Sequence, residues 1–224
     1  MNSVVIGASG GIGLALADRL EQRGETVHRL SRRQGALDLT DEATIAAAAA
    51  SLEGRTIDRL VVATGLLHDE DLQPERSLRQ LDPARLLRSF AVNAVGPALV
   101  LKHFAPLLRR DGPSRTALLS ARVGSIADNR LGGWYGYRAS KAALNQLVRS
   151  TAIEIARTRP EAVVVALHPG TVDTGMSRPF QANVPDGQLL SPGGSAERLL
   201  AVLDALTPQD SGGFFDWRGE PIPF

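Results

Sequence analysis

The stretch Ser3-Val4-Val5-Ile6-Gly7-Ala8-Ser9-Gly10-Gly11-Ile12-Gly13-Leu14-Ala15-Leu16-Ala17-Asp18-Arg19-Leu20 decides the fold. Its opening is a short branched apolar run, as in a buried strand. From Leu14 the apolar spacing turns helical, and Gly24 stops it. Between the two, Gly7, Ser9, Gly10, Gly11, Ile12 and Gly13 form a turn at a helix N-terminus, where main-chain N–H groups and the helix dipole can hold a pyrophosphate. The spacing is G-x-x-x-G-x-G rather than G-x-G-x-x-G, so a dinucleotide fingerprint is met in context but not in letter. Glycine also serves any left-handed turn, and the turn alone leaves that plainer reading open.

Outward from this unit the pattern repeats. Strands are predicted at 26–30, briefly around 36–39, and at 59–63, 115–120 and 162–167. Helices are predicted from about Asp41 to Leu52, with Thr40 as cap, and near 83–110, 137–157 and 195–206, before a last strand at 213–216. Alternating strands and helices with nearly continuous apolar strands predict an α/β fold. The expected architecture is one domain over 1–224, a doubly wound Rossmann-type parallel sheet of about seven strands with helices on both faces.

Composition narrows the possibilities. With 224 residues, 43% hydrophobic and 22% charged, the chain has room for a real core, and its formal charge of +1 gives no field that would gather nucleic acid or an anionic membrane. The absence of cysteine excludes disulfides, thiolate catalysis and sulfur-ligated metals. No uninterrupted apolar run has the length of a membrane span and the start lacks the pattern of a secretory signal, so a cytoplasmic location is expected. No metal site is expected, because His28, His68, His103 and His168 lack a paired ligand spacing.

An NAD-preferring site places Asp or Glu about 20 residues beyond the glycines to receive the ribose hydroxyls. Here the second strand ends in Leu30-Ser31-Arg32-Arg33. Two guanidiniums and a hydroxyl suit a 2′-phosphate, so NADP is expected over NAD; solvated loop charges are the bland alternative.

The predicted helix near 137 opens Trp134-Tyr135-Gly136-Tyr137-Arg138-Ala139-Ser140-Lys141. Residues four apart share a helix face, so Tyr137 and Lys141 are neighbours. A phenol with pKa near 10 is poorly matched to neutral chemistry unless a fixed positive charge lowers it. Lys141, one of only two lysines in an arginine-rich chain, can supply that charge.

The glycine turn, Tyr137-x-x-Ser140-Lys141 and Pro169-Gly170-Thr171-Val172-Asp173-Thr174 together resemble the short-chain dehydrogenase/reductase family over essentially the whole chain. Gly124-Ser125-Ile126, Gly132-Gly133-Trp134-Tyr135 and Lys141-Ala142-Ala143-Leu144-Asn145 resemble its subgroup of sniffer-type carbonyl reductases and C-factor proteins. The resemblance implies that Tyr137 is the general acid and that Lys141 lowers its pKa and holds the nicotinamide ribose. It also implies that Asn93 holds a water in a proton relay, that Asp38 and Leu39 flank the adenine, and that Val172 and Thr174, after Pro169 and Gly170, orient the carboxamide. Asp38 is equally suited to starting the following helix, and a buried structural role is the alternative for Asn93.

Two departures bear on mechanism. Val62-Ala63-Thr64-Gly65 stands where the family has Asn-Asn-Ala-Gly. Ala63 and Gly65 still leave backbone room for the cofactor, and Thr64 is one candidate for the lost hydrogen bonds. The family serine of S-x-x-G is replaced by Ala121; Ser125 is favoured as the substitute hydroxyl, ahead of Ser120, with a structural loop serine as the alternative. Losing such a donor costs roughly a hundredfold or more in rate.

The implied activity is NADPH-dependent hydride transfer between nicotinamide and a small carbonyl or alcohol, with 175–194 as a Pro- and Gly-rich substrate loop. The alternative is an NADP-binding signalling or regulatory protein with little turnover. The resemblance further implies a homodimer through the long helices, or a homotetramer through the last helix and strand. The apolar tail 213–224 is suited to covering a pocket, meeting a neighbour or packing on its own sheet.

Overall fold

The computed structural model describes residues 1–35, 37–185 and 187–224, with Asn183 through its backbone only. Strand β1 (Asn2–Ile6), helix α1 (Gly11–Gln22) and strand β2 (Thr26–Leu30) form the opening unit. Helix α2 (Glu42–Ala50), strand β3 (Arg59–Val62), helix α3 (Pro83–Phe90) and helix α4 (Gly96–Phe104) follow. Strand β4 (Ser114–Leu119), the long helix α5 (Tyr135–Ala156) and strand β5 (Ala162–His168) come next. The two-residue strands β6 (Thr171–Val172) and β7 (Leu189–Leu190), helix α6 (Pro192–Ala205) and strand β8 (Phe214–Asp216) complete the described elements.

The main sheet has six strands in the order β2-β1-β3-β4-β5-β8, all paired in parallel. Side chains alternate across it. Val4, Ile6, Leu60, Val62, Leu118 and Val164 face α4 and α5, while Val5, Val61, Ala117, Val163 and Val165 face α1 and α6. Burial on both sides explains why β3 and β5 read as unbroken apolar runs.

Three expectations need correction. The short strand around 36–39 is not formed by its described residues, which is why the sheet has six strands rather than about seven; Ala36 lies outside the described residues. Asp38 turns the chain instead, its carboxylate accepting from the Thr40 N–H at 2.9 Å and the Thr40 hydroxyl at 2.7 Å. The cap of α2 is Asp41, accepting from the Ala43 N–H at 3.0 Å, rather than Thr40, whose hydroxyl is held by Asp38. The expected helix at 83–110 is interrupted by a π-helical turn, Ala91–Val95, so Pro97 continues it with a changed register. The run Pro83–Leu107 has the length and hydropathy of a membrane crossing, yet Val100, Leu101 and Phe104 sit in the core beneath the sheet.

The tail packs on its own sheet. The Ile222 N–H donates to the Phe214 carbonyl, Phe224 stacks on Phe214, and the Ala127 N–H donates to the Phe224 carbonyl at 3.1 Å.

Candidate active site

The strand order reverses at β1, between β2 on one side and β3 on the other, and the loops leaving β1 and β3 open there. Gly7 adopts φ 88°, and a Cβ on it would stand 2.5 Å from the Ala63 carbonyl oxygen. A Cβ on Gly13 would run into the Gly7 carbonyl. Glycine is therefore required where the turn is folded tightly over Ala63. The N-terminus of α1 has no side-chain cap, which leaves its first-turn N–H groups facing outward past Gly10, Gly11 and Ile12, beside half-buried Ser9. Thr174 closes on Gly11 from the other side, near enough that a Cβ on Gly11 would lie 2.7 Å from its methyl.

Arg32 and Arg33 are exposed in a single 3-10 turn after β2, and Ser31 is buried with its hydroxyl on Gln34 Oε1 at 3.0 Å. Asp38 belongs to the turn before α2. Hydrogen bonds from Thr40, aided by Arg32, hold its carboxyl below the usual range. Leu39 packs against the start of α4, where Gly96 leaves it room. Thr64 does not replace the lost asparagine bonds, since its buried Oγ1 has no hydrogen-bond partner among the described residues.

Around Gly65 the expected residues converge. A Cβ there would lie 3.5 Å from Lys141 Nζ and 3.6 Å from Asn93 Oδ1. Asn93 is fully buried in the π turn. Its Oδ1 accepts from the Leu66 N–H at 2.7 Å, and its Nδ2 donates to the Leu66 carbonyl at 2.8 Å and to Ser140 Oγ at 3.1 Å. Ser140 in turn donates to the Tyr137 carbonyl at 2.9 Å. The Asn93 side chain is thus committed to holding the β3 loop against α5.

Lys141 Nζ donates to the Leu119 carbonyl at 2.8 Å and lies 5.9 Å from the centre of the Tyr137 ring. The expected lowering of the phenol by the ammonium is not what the two environments produce. Burial pushes Tyr137 up to about 12 and Lys141 down to about 7, the loss of water being the cause in both.

Neither candidate substitute for the missing hydroxyl is idle. Ser120 donates to Asn145 Oδ1 at 2.7 Å, on the buried side of the loop. Ser125, also buried, accepts from the Asp128 N–H at 3.1 Å, and its own proton has no acceptor among the described residues. Gly124 packs on α5 so closely that a Cβ would meet Lys141 Cβ at 2.8 Å.

The far wall is aromatic. Trp134 stands edge-on to Tyr137 with ring centres 6.3 Å apart and to Phe180 at 5.0 Å; His68 meets Phe180 at 5.6 Å and the Met176 carbonyl at 3.1 Å. Phe180 and Met176 belong to the loop between β6 and β7, whose ends are pinned by the pairing Thr171 to Leu189 and Val172 to Leu190. The expected substrate loop 175–194 therefore ends earlier, for Gly193 and Gly194 lie in α6 behind the Ser191 cap. Just ahead of Pro169 and Gly170, His168 is half-buried with its Nδ1 enclosed, beside Arg122 and Asp216, and desolvation pushes it down to about 4.

Sequence reasoning missed the buried Glu75, which accepts from the Gly136 N–H, and gave His68 no place in the site; both lie outside helices and strands with no local signature, whereas Phe180 falls within the expected substrate loop.

A parallel sheet reversing its order at a glycine turn, with Tyr137, Ser140 and Lys141 along the start of one helix, defines a short-chain dehydrogenase/reductase. The chain belongs to that oxidoreductase family: the family model described as enoyl-(acyl carrier protein) reductase matches residues 7–189. It is 42% identical over 149 residues to the C-signal protein of Myxococcus xanthus, covering 66% of this chain and 84% of that one. It is 28% identical over 225 residues to a 1-hydroxy-2-glutathionyl-2-methyl-3-butene dehydrogenase of Rhodococcus sp. (strain AD45), covering 94% of each. Among solved structures, the NADPH-bound carbonyl reductase from chicken fatty liver superposes with a TM-score of 0.83 at 26% identity, over 100% of this chain and 98% of that one.

Proposed function

We propose that this chain reduces small carbonyl compounds with NADPH, or runs the reverse reaction on alcohols, with Tyr137 as general acid and base. The observation that carries the reading is a partly buried phenol one helical turn from a buried lysine, beside Gly65 at the sheet's switch point. The cradle suits the cofactor: Gly7 and Gly13 have no space for a Cβ, and the unpartnered Thr64 hydroxyl lines the same turn. In this reading Gly7, Ser9, Gly10, Gly11, Ile12 and Gly13 hold the pyrophosphate, and Ser31, Arg32 and Arg33 the 2′-phosphate. Asp38 and Leu39 would flank the adenine and Ala63, Thr64 and Gly65 would line the crevice. Pro169, Gly170, Val172 and Thr174 would hold the carboxamide, and Tyr137 and Lys141 the ribose. When bound, NADPH supplies the hydride that reduces the carbonyl carbon.

Tyr137 is protonated at neutral pH, which suits it to giving its proton to the substrate oxygen. The charge then left on the phenolate is met by Lys141, whose ammonium burial holds down to about 7. Asn93 serves a relay from that lysine by fixing the loop through Leu66 and Ser140. Ser125, whose proton has no acceptor among the described residues, is the hydroxyl we put forward for the substrate oxygen in place of Ala121. The aromatic run from His68 through Phe180 and Trp134 to Tyr137 favours an apolar aldehyde, ketone or quinone over a charged substrate.

NADPH oxidation with a panel of such carbonyls tests the reading. Tyr137→Phe should lower kcat by about a hundredfold or more while NADPH still binds. Ala121 and the likeness to C-signal favour a second reading, an NADP-binding regulatory protein with little turnover. Cofactor binding without turnover in the wild type would decide for it. As partner we propose a second copy meeting this one across α4 and α5, where Val95 just ahead of α4 and Ile153 on α5 are exposed, or four copies through α6 and β8 as well; sedimentation at several concentrations tests this.

A further inference from the structure

We infer that Glu75 is a positioning residue for Tyr137, clamping the first turn of α5 from outside the helix and so fixing where the phenol points. The inference rests on the catalytic reading of Tyr137 for its consequence, but its geometry stands independently.

The chain enters α5 awkwardly. Gly132, Gly133 and Trp134 are all left-handed, at φ 64°, 65° and 51°, and Trp134 is the one non-glycine with positive φ among the described residues. A tryptophan adopts that conformation only where its surroundings impose it. The helix supplies no cap of its own, since the side chain of Trp134 caps nothing and no acidic residue lies in the first turn. First-turn N–H groups without partners are a known weakness of helix ends.

Glu75 answers both problems from a loop distant in sequence. Its main-chain carbonyl accepts the Trp134 N–H at 2.5 Å, and its carboxylate Oε2 accepts the Gly136 N–H at 3.1 Å. One residue thereby grips the peptide on each side of Tyr135, immediately ahead of Tyr137. The carboxylate is buried, at 6% exposure, and lies at the positive end of the helix dipole, where a negative charge is favoured. Gly136 is fitted to it: a Cβ there would stand 2.9 Å from Glu75 Oε1 and 3.2 Å from Leu86 Cδ2. Tyr137 is then fixed from both directions. Glu75 holds the residue before it, Ser140 holds its own carbonyl, and the Trp134 ring bears on its edge.

The test uses Glu75→Ala and Glu75→Gln in the full chain, each also in a Tyr135→Phe background so that Tyr137 is the remaining tyrosine. Readouts are kcat and KM with a carbonyl that the wild type reduces, the NADPH dissociation constant, and ultraviolet titration of the phenol. Glu75→Ala should lower kcat about tenfold or more with NADPH binding within about twofold, because small displacements of a proton donor are costly. The phenol titration should fall from about 12 toward its ordinary value as the ring loses its buried setting. Glu75→Gln keeps an oxygen for the Gly136 N–H and should recover most of kcat. A folded Glu75→Ala protein with wild-type kcat and an unmoved titration overturns the inference. If the wild type turns over no carbonyl, the catalytic reading fails, and the titration alone still decides for or against Glu75. If Glu75→Ala does not fold, Gly136→Ala replaces it, its methyl directed at Oε1; an unmoved phenol there overturns the inference equally.

Discussion

Lysine at 141 should make this protein more stable as the pH rises from 7 to 9, and Lys141→Met should abolish the effect. In the folded chain burial holds the ammonium down to about 7, against 10.5 for the free side chain. Between these values the unfolded chain binds more protons than the folded one, so the slope of unfolding free energy with pH is positive. From pH 7 to pH 9 the gain is about 2 kcal/mol, at 1.36 kcal/mol per unit less the fraction already deprotonated at pH 7. The window is favourable because the chain has no cysteine to titrate in it, and Tyr137, pushed up rather than down, begins to oppose the trend only above pH 10. Urea unfolding at half-unit intervals, at fixed protein concentration, reads the slope directly; equal m-values across the series confirm that the same transition is compared. A wild type flat over the window, or a Lys141→Met variant with the same slope, would refute the burial argument and with it the account of how the lysine is poised near neutrality.

His168, pushed down to about 4 from 6.5, has the same sign in a different window: stability should fall as pH drops from 6.5 to 4, by up to about 3 kcal/mol, and His168→Gln should flatten that limb in the same unfolding series. Gly13→Ala forces a methyl into the Gly7 carbonyl; it should weaken NADPH binding by about tenfold or more in a fluorescence titration, while the circular dichroism stays that of the wild type. Arg32→Asp puts a carboxylate where the 2′-phosphate is expected, so the KM for NADPH should rise sharply and that for NADH should fall; an unchanged NADPH constant would remove the charge argument.

What the sequence discloses is whatever acts over one turn or one strand. The glycine spacing 7–13 announces the tight turn, in which a Cβ on Gly13 would collide with the Gly7 carbonyl, and Tyr137 with Lys141 announces a shared face because four residues close one helical turn. The failures share a cause. Residues 37–39 look extended by composition, yet Asp38 finds both polar groups of Thr40 within reach and bends the segment before it can pair. The run 83–110 has a helical period throughout, and nothing in it warns of the π turn at 91–95; that turn contains Asn93, whose amide bonds Leu66 in the loop after β3. The helical spacing predicts that the lysine lowers the phenol, since sequence gives their separation along a helix but not the water they lose on burial. Glu75 is the limiting case, reaching Gly136 across 61 residues from an irregular loop. A candidate site whose two titratable groups lie on one helix is thus readable in outline, while the groups that hold that helix come from loops on other strands and become visible only once the sheet has brought those loops together.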